Sequence, residues 1–413
     1  MLAEAHYQRG RLRLYRARYD RPEREGRNTP GFDDLDIAGD LASLSRHRSL
    51  TLDASIFRAK ALSMLGVPAP MEYYESMLAQ EDSGLLLREQ RAELYEQRGI
   101  NHRLNARIGD HTHATQELEL AIAAYGQALE EQTRRGYGIG QAKVRGNMAN
   151  AYIELGTRQR GEAAIEAYRR AAELITLAKD FWGDQPYGRD YVAPLYGRLV
   201  NAKMKTDPLG GRAVVDAALV EFGDDPDALA NILLPGILAF SREPRALELA
   251  DRAMVLLESN PQPPLLTLQL RMYALDALVH DPAARERAGD VQRWSRELEE
   301  RLAEIDEELP DRALLARAYL GGAKVLLGDW ASARPLLEAV TEDDQWEKQV
   351  GVNRAEVLLD LTDVYLELGE PQRARETHDQ ADGLIDRSAE APPYVSEVLQ
   401  RRYEEQERRL GAA

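Results

Sequence analysis

Apolar and small residues recur at spacings of three and four along most of the chain, with polar residues between them. The stretch "EAAIEAYRRAAEL" sets Ala164, Tyr168 and Ala171 on one helical face. "LAIAAYGQAL" does the same with Ala121, Tyr125 and Ala128, and "QRARETHDQADGL" with Ala374, His378 and Ala381. Each follows, or precedes, a second apolar-periodic segment. "MANAYIELG" (Met148–Gly156) and "LTDVYLELG" (Leu361–Gly369) both place a tyrosine four residues after an apolar residue and a glycine four residues later. A further copy, "YLGGAKVLLGDWASARPLLEAV", carries Leu320, Gly321, Gly328, Ala333, Leu337 and Val340. Period-two alternation of any length is missing, so the pattern predicts helices and no sheet.

Small residues such as Ala164 and Ala171 let two helices approach, and Tyr152 and Tyr168 fill the space between them. A glycine at the turn, as at Gly156, Gly328 and Gly369, takes the left-handed conformation that ends the first helix. Each unit is then a helix–turn–helix hairpin that buries its apolar face only by stacking on a neighbour. "GDDPD" and "SNPQPP" separate weaker units in the middle, and Gly66 and Pro68 mark the turn of an early short one. The predicted organisation is a helix followed by a polar loop over 1–52, about eight stacked hairpins over 53–391, and a capping helix over 392–413 whose charged face meets solvent. The polar, proline-bearing run "RYDRPEREGRNTPGFDDLD" supplies the loop.

These patterns resemble the tetratricopeptide repeat, whose 34-residue unit runs Trp-x-x-Leu-Gly-x-x-Tyr, then Ala-x-x-x-Phe-x-x-Ala, then Pro. Leu320-Gly321, Tyr152, Tyr365, Ala164/Tyr168/Ala171 and Ala121/Tyr125/Ala128 match it. The first tryptophan is absent, and 158–162 carries about three extra residues relative to the pattern. The resemblance implies a right-handed α-solenoid of divergent repeats. It also implies that first helices line a concave groove for a peptide or protein partner, with Lys143, Asn147 and Asn150 on the groove side. The corresponding positions near the C-terminus are Glu356, Asp360, Asp363 and Glu367, which make that end of the groove acidic. A repeat-to-repeat carboxylate clamp would need basic residues there, so a ligand with basic or apolar side chains is the better match.

Composition narrows the functional classes. The net charge of −17 argues against nucleic-acid binding, which depends on neutralising phosphates. There is no cysteine, which excludes disulfides and thiolate metal sites and suits a reducing cytoplasm. Only seven of the 53 basic residues are lysine, a usage habitual in GC-rich bacterial genomes. Arginines interrupt every apolar run of the first twenty residues, so no signal peptide is expected. No apolar window reaches the ~18 residues of a membrane span. The excess of arginine at Arg9, Arg11, Arg13, Arg16 and Arg18 reads as a solvated helix face.

Candidate chemistry is thin. "GYGIGQAK" carries Gly136, Gly138 and Gly140, but a helix precedes it and its spacing fits no phosphate loop. It reads as a turn between repeats, which puts Lys143 near the start of the next first helix. His102, His111 and His113 cluster around Asp110 in "NHRLNARIGDHTHATQE". The spacing admits a metal site, but the run reads as an exposed polar loop in which His111 and His113 diverge. No Gly-x-Ser-x-Gly nucleophile elbow occurs. The expectation is a non-catalytic scaffold or adaptor without cofactor or metal, binding a protein or peptide, with self-association through an open end of the stack also open. A peptide- or signal-responsive regulatory sensor is the second reading, and a metal-dependent enzyme resting on the histidines and the acidic groove is the third.

Overall fold

The computed structural model describes residues 1–19, 32–45, 48–64, 66–79, 86–108, 110–305, 310–343, 346, 351–385 and 393–412. Among these residues there are nineteen helices and no strand, so the chain is an all-α helical solenoid. It divides into two compact units, Met1–Ala218 and Leu219–Ala413.

The first unit holds α1 (Leu2–Tyr19), α2 (Phe32–Leu44), α3 (Arg48–Met64), α4 (Met71–Leu78), α5 (Arg88–Asn105), α6 (His111–Arg134), α7 (Gly138–Arg158), α8 (Gly161–Gly183) and α9 (Arg189–Thr206). It also holds most of α10 (Pro208–Phe222). The second holds α11 (Pro226–Ala239), α12 (Pro244–Ser259), α13 (Pro264–Val279), α14 (Ala288–Ile305), α15 (Pro310–Leu326), α16 (Trp330–Thr341), α17 (Gly351–Glu367), α18 (Pro371–Ile385) and α19 (Pro393–Ala412). Consecutive helices pack pairwise as α1 with α2, α5 with α6, α7 with α8, α11 with α12, α13 with α14, α15 with α16 and α17 with α18. Residue 52 lies inside α3, and most of the expected polar loop, 20–31, lies outside the described residues.

Packing is sequential: α5 on α6, α6 on α7, α7 on α8, α15 on α16 and α17 on α18. The odd-numbered helices also touch one another, as α5–α7–α9 in the first unit and α13–α15–α17–α19 in the second. Both sets of predicted groove residues stand on these odd-numbered rows, Lys143, Asn147 and Asn150 on α7 and Glu356, Asp360, Asp363 and Glu367 on α17.

The alanine pattern has the expected effect. Ala121, Ala128 and Ala171 are fully buried, and Tyr125 is buried between α5 and α6 with its ring where Gly99 has no side chain. A Cβ on Gly99 would stand 2.6 Å from that ring. Each fully buried leucine of the core, such as Leu118, contributes roughly 1.5–3 kcal/mol. Asp110, Asp225 and Asp329 accept from backbone N–H groups at the starts of α6, α11 and α16, which satisfies donors that the helix leaves unpaired.

Gly328 and Gly369 end their helices in the left-handed region, with φ of 72° and 75°. Gly156 departs from the expectation. It lies inside α7, and a Cβ there would be 2.9 Å from the Tyr168 ring. The helix runs on to Arg158, and Gly161 takes the positive φ of the turn. The additional residues after Gly156 thus lengthen the helix, and the glycine serves close approach.

Candidate inner-face sites of the two units

In the first unit, α7 presents Lys143, Asn147 and Asn150 at helical spacing, as the sequence predicts for one face. Lys143 and Asn147 reach across to α5 and converge on Glu96. The Lys143 ammonium is 3.0 Å from Glu96 Oε1, and Asn147 Nδ2 donates to the same oxygen at 2.8 Å. Glu96 is almost completely buried. Burial raises its carboxyl above the ordinary value despite the ammonium beside it. Its neighbour Glu93 is pushed upward by burial too, but Lys143 and Lys60 outweigh this and hold it below the ordinary value. Lys143 and Asn147 are therefore committed to tying α7 to α5. Asn150 is half-buried and makes no hydrogen bond among the described residues.

The histidines are not on a loop. His102 is buried in α5 and its Nδ1 is 2.8 Å from Glu117 on α6. His111 and His113 stand in the first turn of α6, where His111 Nε2 is 2.7 Å from the Arg158 carbonyl. The connection between α5 and α6 is short because Asp110 caps α6 at once. Among the described residues no group of three or more His, Asp or Glu side chains is placed to hold a metal ion.

In the second unit the structure does bring the predicted residues together. Glu356, Asp360, Asp363 and Glu367 share one face of α17 and line a cavity of about 560 Å³. Asp276 and Val279 of α13 form one wall, and Leu315, Ala318 and Tyr319 of α15 another. Trp330 of α16 adds an aromatic edge, and α19 closes one end with Arg402, Gln406 and Arg409. Gly322 leaves the α15 backbone bare beside Asp360; a Cβ there would be 3.1 Å from Asp360 Oδ2.

Six carboxylates and three arginines line this cavity, and the arginines do not reach every acid. Arg402 spans Asp360 at 2.6 Å and Asp363 at 2.8 Å. Arg409 spans Asp363 at 3.0 Å and Glu367 at 2.6 Å. Burial works against the Arg402 charge, and the carboxylates of Asp360 and Asp363 outweigh it and raise its pKa. Arg401, Glu404, Glu407 and Arg408 of the capping helix are exposed, while Arg402 and Arg409 reach α17 and neutralise one end of the acidic row.

The rest of the row is paired differently. Glu356 pairs with Arg242, and its Oε1 is 3.6 Å from His280 Nε2. Asp276 has only the His280 imidazole as an ionic partner among the described residues, at 3.1 Å. Gln406 donates to the Leu359 carbonyl at 2.8 Å, while its own Oε1 is buried without a partner. The hydrogen-bond inventory of the cavity is thus rich in acceptors, matching a ligand that brings donors. Tyr319 sits edge-on to Tyr273, with ring centroids 5.9 Å apart, and burial raises its hydroxyl well above the ordinary value. It is a neutral, ring-bearing wall.

Asp276, Gln406 and Arg242 were not legible as site residues. Asp276 and Gln406 come from helices whose pairing the local pattern does not encode. Arg242 reaches Glu356 from the turn before α12 through a left-handed backbone, φ 65°, uncommon for a residue with a side chain.

No protein-family model matches the chain, and no curated protein matches it. Among solved structures, the fold is similar to the crystal structure of the apo form of RapI. The TM-score is 0.59 at 10% identity, covering 93% of this chain and 99% of that one. The crystal structure of yeast Tom70 aligns at a TM-score of 0.27 with 14% identity, covering 98% of this chain and 95% of that one. At 10% identity the likeness to RapI shows the helical-repeat fold alone. Among the described residues, no helix is long and apolar enough to cross a membrane.

Proposed function

We propose that this chain is a divergent tetratricopeptide-repeat scaffold that binds a protein or peptide segment without catalysing a reaction. On this reading the cavity of the second unit takes a basic side chain flanked by apolar ones. The observation that carries it is the acceptor-rich cavity walled by α13, α15, α17 and α19, where Asp276 has only the His280 imidazole as an ionic partner among the described residues, Glu356 is shared by Arg242 and His280, and Gln406 Oε1 is buried without a partner. A guanidinium or ammonium entering there meets carboxylates on two helices, and Val279, Leu315 and Trp330 offer apolar contact beside it. Asp360, Asp363 and Glu367 are the part of the acidic row that the chain's own arginines already hold. Repeat folds recognise extended or helical segments through many such shallow contacts, which suits an adaptor.

The test uses an end-blocked, fluorescein-labelled peptide Leu-Arg-Leu-Leu-Arg-Leu and its Arg→Gln counterpart, read by fluorescence anisotropy. The arginine peptide is expected to bind, and Asp276→Asn with Glu356→Gln to weaken it about tenfold, or ~1.4 kcal/mol. A net charge of −17 attracts any cation weakly. The control is therefore Glu162→Gln with Asp180→Asn, which removes the same charge from exposed positions of α8. Equal weakening by both pairs of substitutions would reduce the site to a general field effect and sink the reading.

A further inference from the structure

The cavity of the second unit is longer than one basic side chain needs. Glu356 and Glu367, the first and last acids of the α17 row, both line it and stand ~16 Å apart along the helix. A lysine side chain reaches only ~6 Å from its Cα, at ~1.2 Å per extended bond. Apolar groups share the walls, with Leu315 and Ala318 on α15 and Val357 on α17, and the rings of Tyr319 and Trp330 stand beside them. Helices α13, α15, α17 and α19 surround this length, so it suits a slender chain better than a peptide backbone.

The lining is acidic on balance. Six carboxylates stand against Arg285, Arg402 and Arg409, an excess of three negative charges. Arg242 reaches Glu356 from outside the lining and reduces that excess to two, and His280 stands by both Glu356 and Asp276. Glu405 lines the cavity from α19 and has no ion pair among the described residues. A second observation does not depend on charge. Gln406 is 1% exposed, and its amide nitrogen donates to the Leu359 carbonyl. Its Oε1 is buried without a partner. A buried acceptor in that state costs the folded protein stability until a donor reaches it.

Resting on the proposed role of this cavity as a site for basic groups, we infer that it also binds a free linear polyamine of about spermine's length. Such a molecule is a row of ammonium groups, all donors, separated by short methylene runs. Spermine extended over its thirteen skeletal bonds spans ~16 Å, the length of the α17 row, whereas putrescine spans ~6 Å. One terminal ammonium meets Asp276 and Glu356, and the other meets Glu405 and Glu367. An inner one supplies the donor that Gln406 Oε1 lacks. The methylenes pack along Leu315, Ala318 and Val357, and the rings of Tyr319 and Trp330 favour the cationic groups next to them. A polyamine held there occupies the place of a partner's basic side chain, so its concentration controls how much partner the chain binds.

The experiment titrates spermine, putrescine and diaminododecane into the full chain by calorimetry, and then uses each to displace the labelled arginine peptide. At about 0.15 M salt the screening length is ~8 Å, so the attraction of the net charge is muted while close contacts persist. Spermine is expected to bind at one site, at least tenfold more tightly than putrescine, and to displace the peptide. Diaminododecane has putrescine's two charges at spermine's length, and it too should bind more tightly than putrescine. Asp276→Asn should weaken spermine about tenfold and Gln406→Leu about threefold. The Asp276→Asn result decides if Gln406→Leu, which also loses its bond to Leu359, does not fold. Glu162→Gln with Asp180→Asn, at exposed positions of α8, should leave spermine binding unchanged. Equal weakening by that pair and by Asp276→Asn would overturn the inference, as would equal affinity for putrescine and diaminododecane. Unimpaired peptide binding to spermine-saturated protein would overturn it too. If the peptide binds and spermine does not, the polyamine falls and the proposed function stands. If spermine binds and the peptide does not, the cavity keeps its polyamine and the peptide reading falls. If neither binds, both fall.

Discussion

The rows α5–α7–α9 and α13–α15–α17–α19 are both built from alternate helices of the stack, yet they dispose of charge in opposite ways. In the first unit the carboxylate Glu96 is buried and saturated by Lys143 and Asn147, and the unmatched group is a cation, Arg198. In the second, the arginines of α19 saturate Asp360, Asp363 and Glu367, and the unmatched groups are acceptors, Asp276 and Gln406 Oε1. The fold therefore fixes where side chains face, and the residue on the neighbouring odd-numbered helix decides whether a facing charge is held by a counter-charge or left without one. Two groove positions of the same residue type carry no common meaning until that neighbour is known.

Removing a strut has the largest expected effect. Lys143→Met leaves Glu96 buried with Asn147 alone. A fully buried pair broken on one side loses about 3–5 kcal/mol, and because Lys143 is half-exposed the expected loss is about 2 kcal/mol. The double substitution Glu96→Gln with Lys143→Met should recover most of that, as seen in urea or thermal denaturation of the full chain. If Lys143→Met proves neutral, Lys143 belongs with the ligand contacts and the contrast between the units disappears.

The next effect is on binding. Gly322→Leu places a side chain beside Asp360 and into the cavity of the second unit, where even a Cβ would stand 3.1 Å from a carboxylate oxygen. Binding of the arginine peptide should fall at least tenfold in the anisotropy titration. Affinity equal to that of wild type would remove this cavity from the binding site.

How far the sequence led follows the same line. Helix type, hairpin order and turn glycines such as Gly369 were legible because they depend on spacing within about a dozen residues. So was the shared face of Glu356, Asp360, Asp363 and Glu367. The pairing of Lys143 with Glu96 was not, since the partners are 47 residues apart and nothing local marks Glu96 as buried. The pairing of Arg402 and Arg409 with α17 was not legible either, since their carboxylate partners lie 39 to 46 residues away. Gly156 misled for a different reason. The repeat pattern equates a glycine after Leu155 with a turn, whereas the bulk of Tyr168 requires a bare backbone at that point.

A pH experiment sharpens the contrast between strut and ligand contact. Glu338 of α16 bonds Arg334 and accepts from the Tyr365 hydroxyl at 2.8 Å, with Arg373 at 3.2 Å. Burial pushes its carboxyl upward, and the tyrosine and arginine partners outweigh this, so its folded pKa lies below the ordinary 4.5. A depressed carboxylate contributes stability that is complete above its unfolded value and lost as pH falls through the folded one. Acid destabilisation below pH 4.5 should thus have a component that Glu338→Gln removes. Parallel pH profiles for wild type and Glu338→Gln would show that the cluster carries no such linkage.

The smallest effect concerns Arg242, which holds Glu356 from a left-handed backbone. Two contributions oppose each other. Arg242→Gly relieves a conformation that costs a side-chain-bearing residue roughly 1 kcal/mol or more. It also deletes an ion pair between two largely buried side chains, 14% and 17% exposed, which leaves Glu356 with His280 alone. The net change in stability should therefore be within about 1 kcal/mol of zero. Binding should change more clearly, because Glu356 then has its charge available and the arginine peptide gains affinity. Arg242→Ala keeps the strain and loses the pair, so it should be less stable than Arg242→Gly with the same gain in binding. If both variants bind the peptide as wild type does, Glu356 is not part of the contact, and the acidic end of the cavity narrows to Asp276 and Gln406.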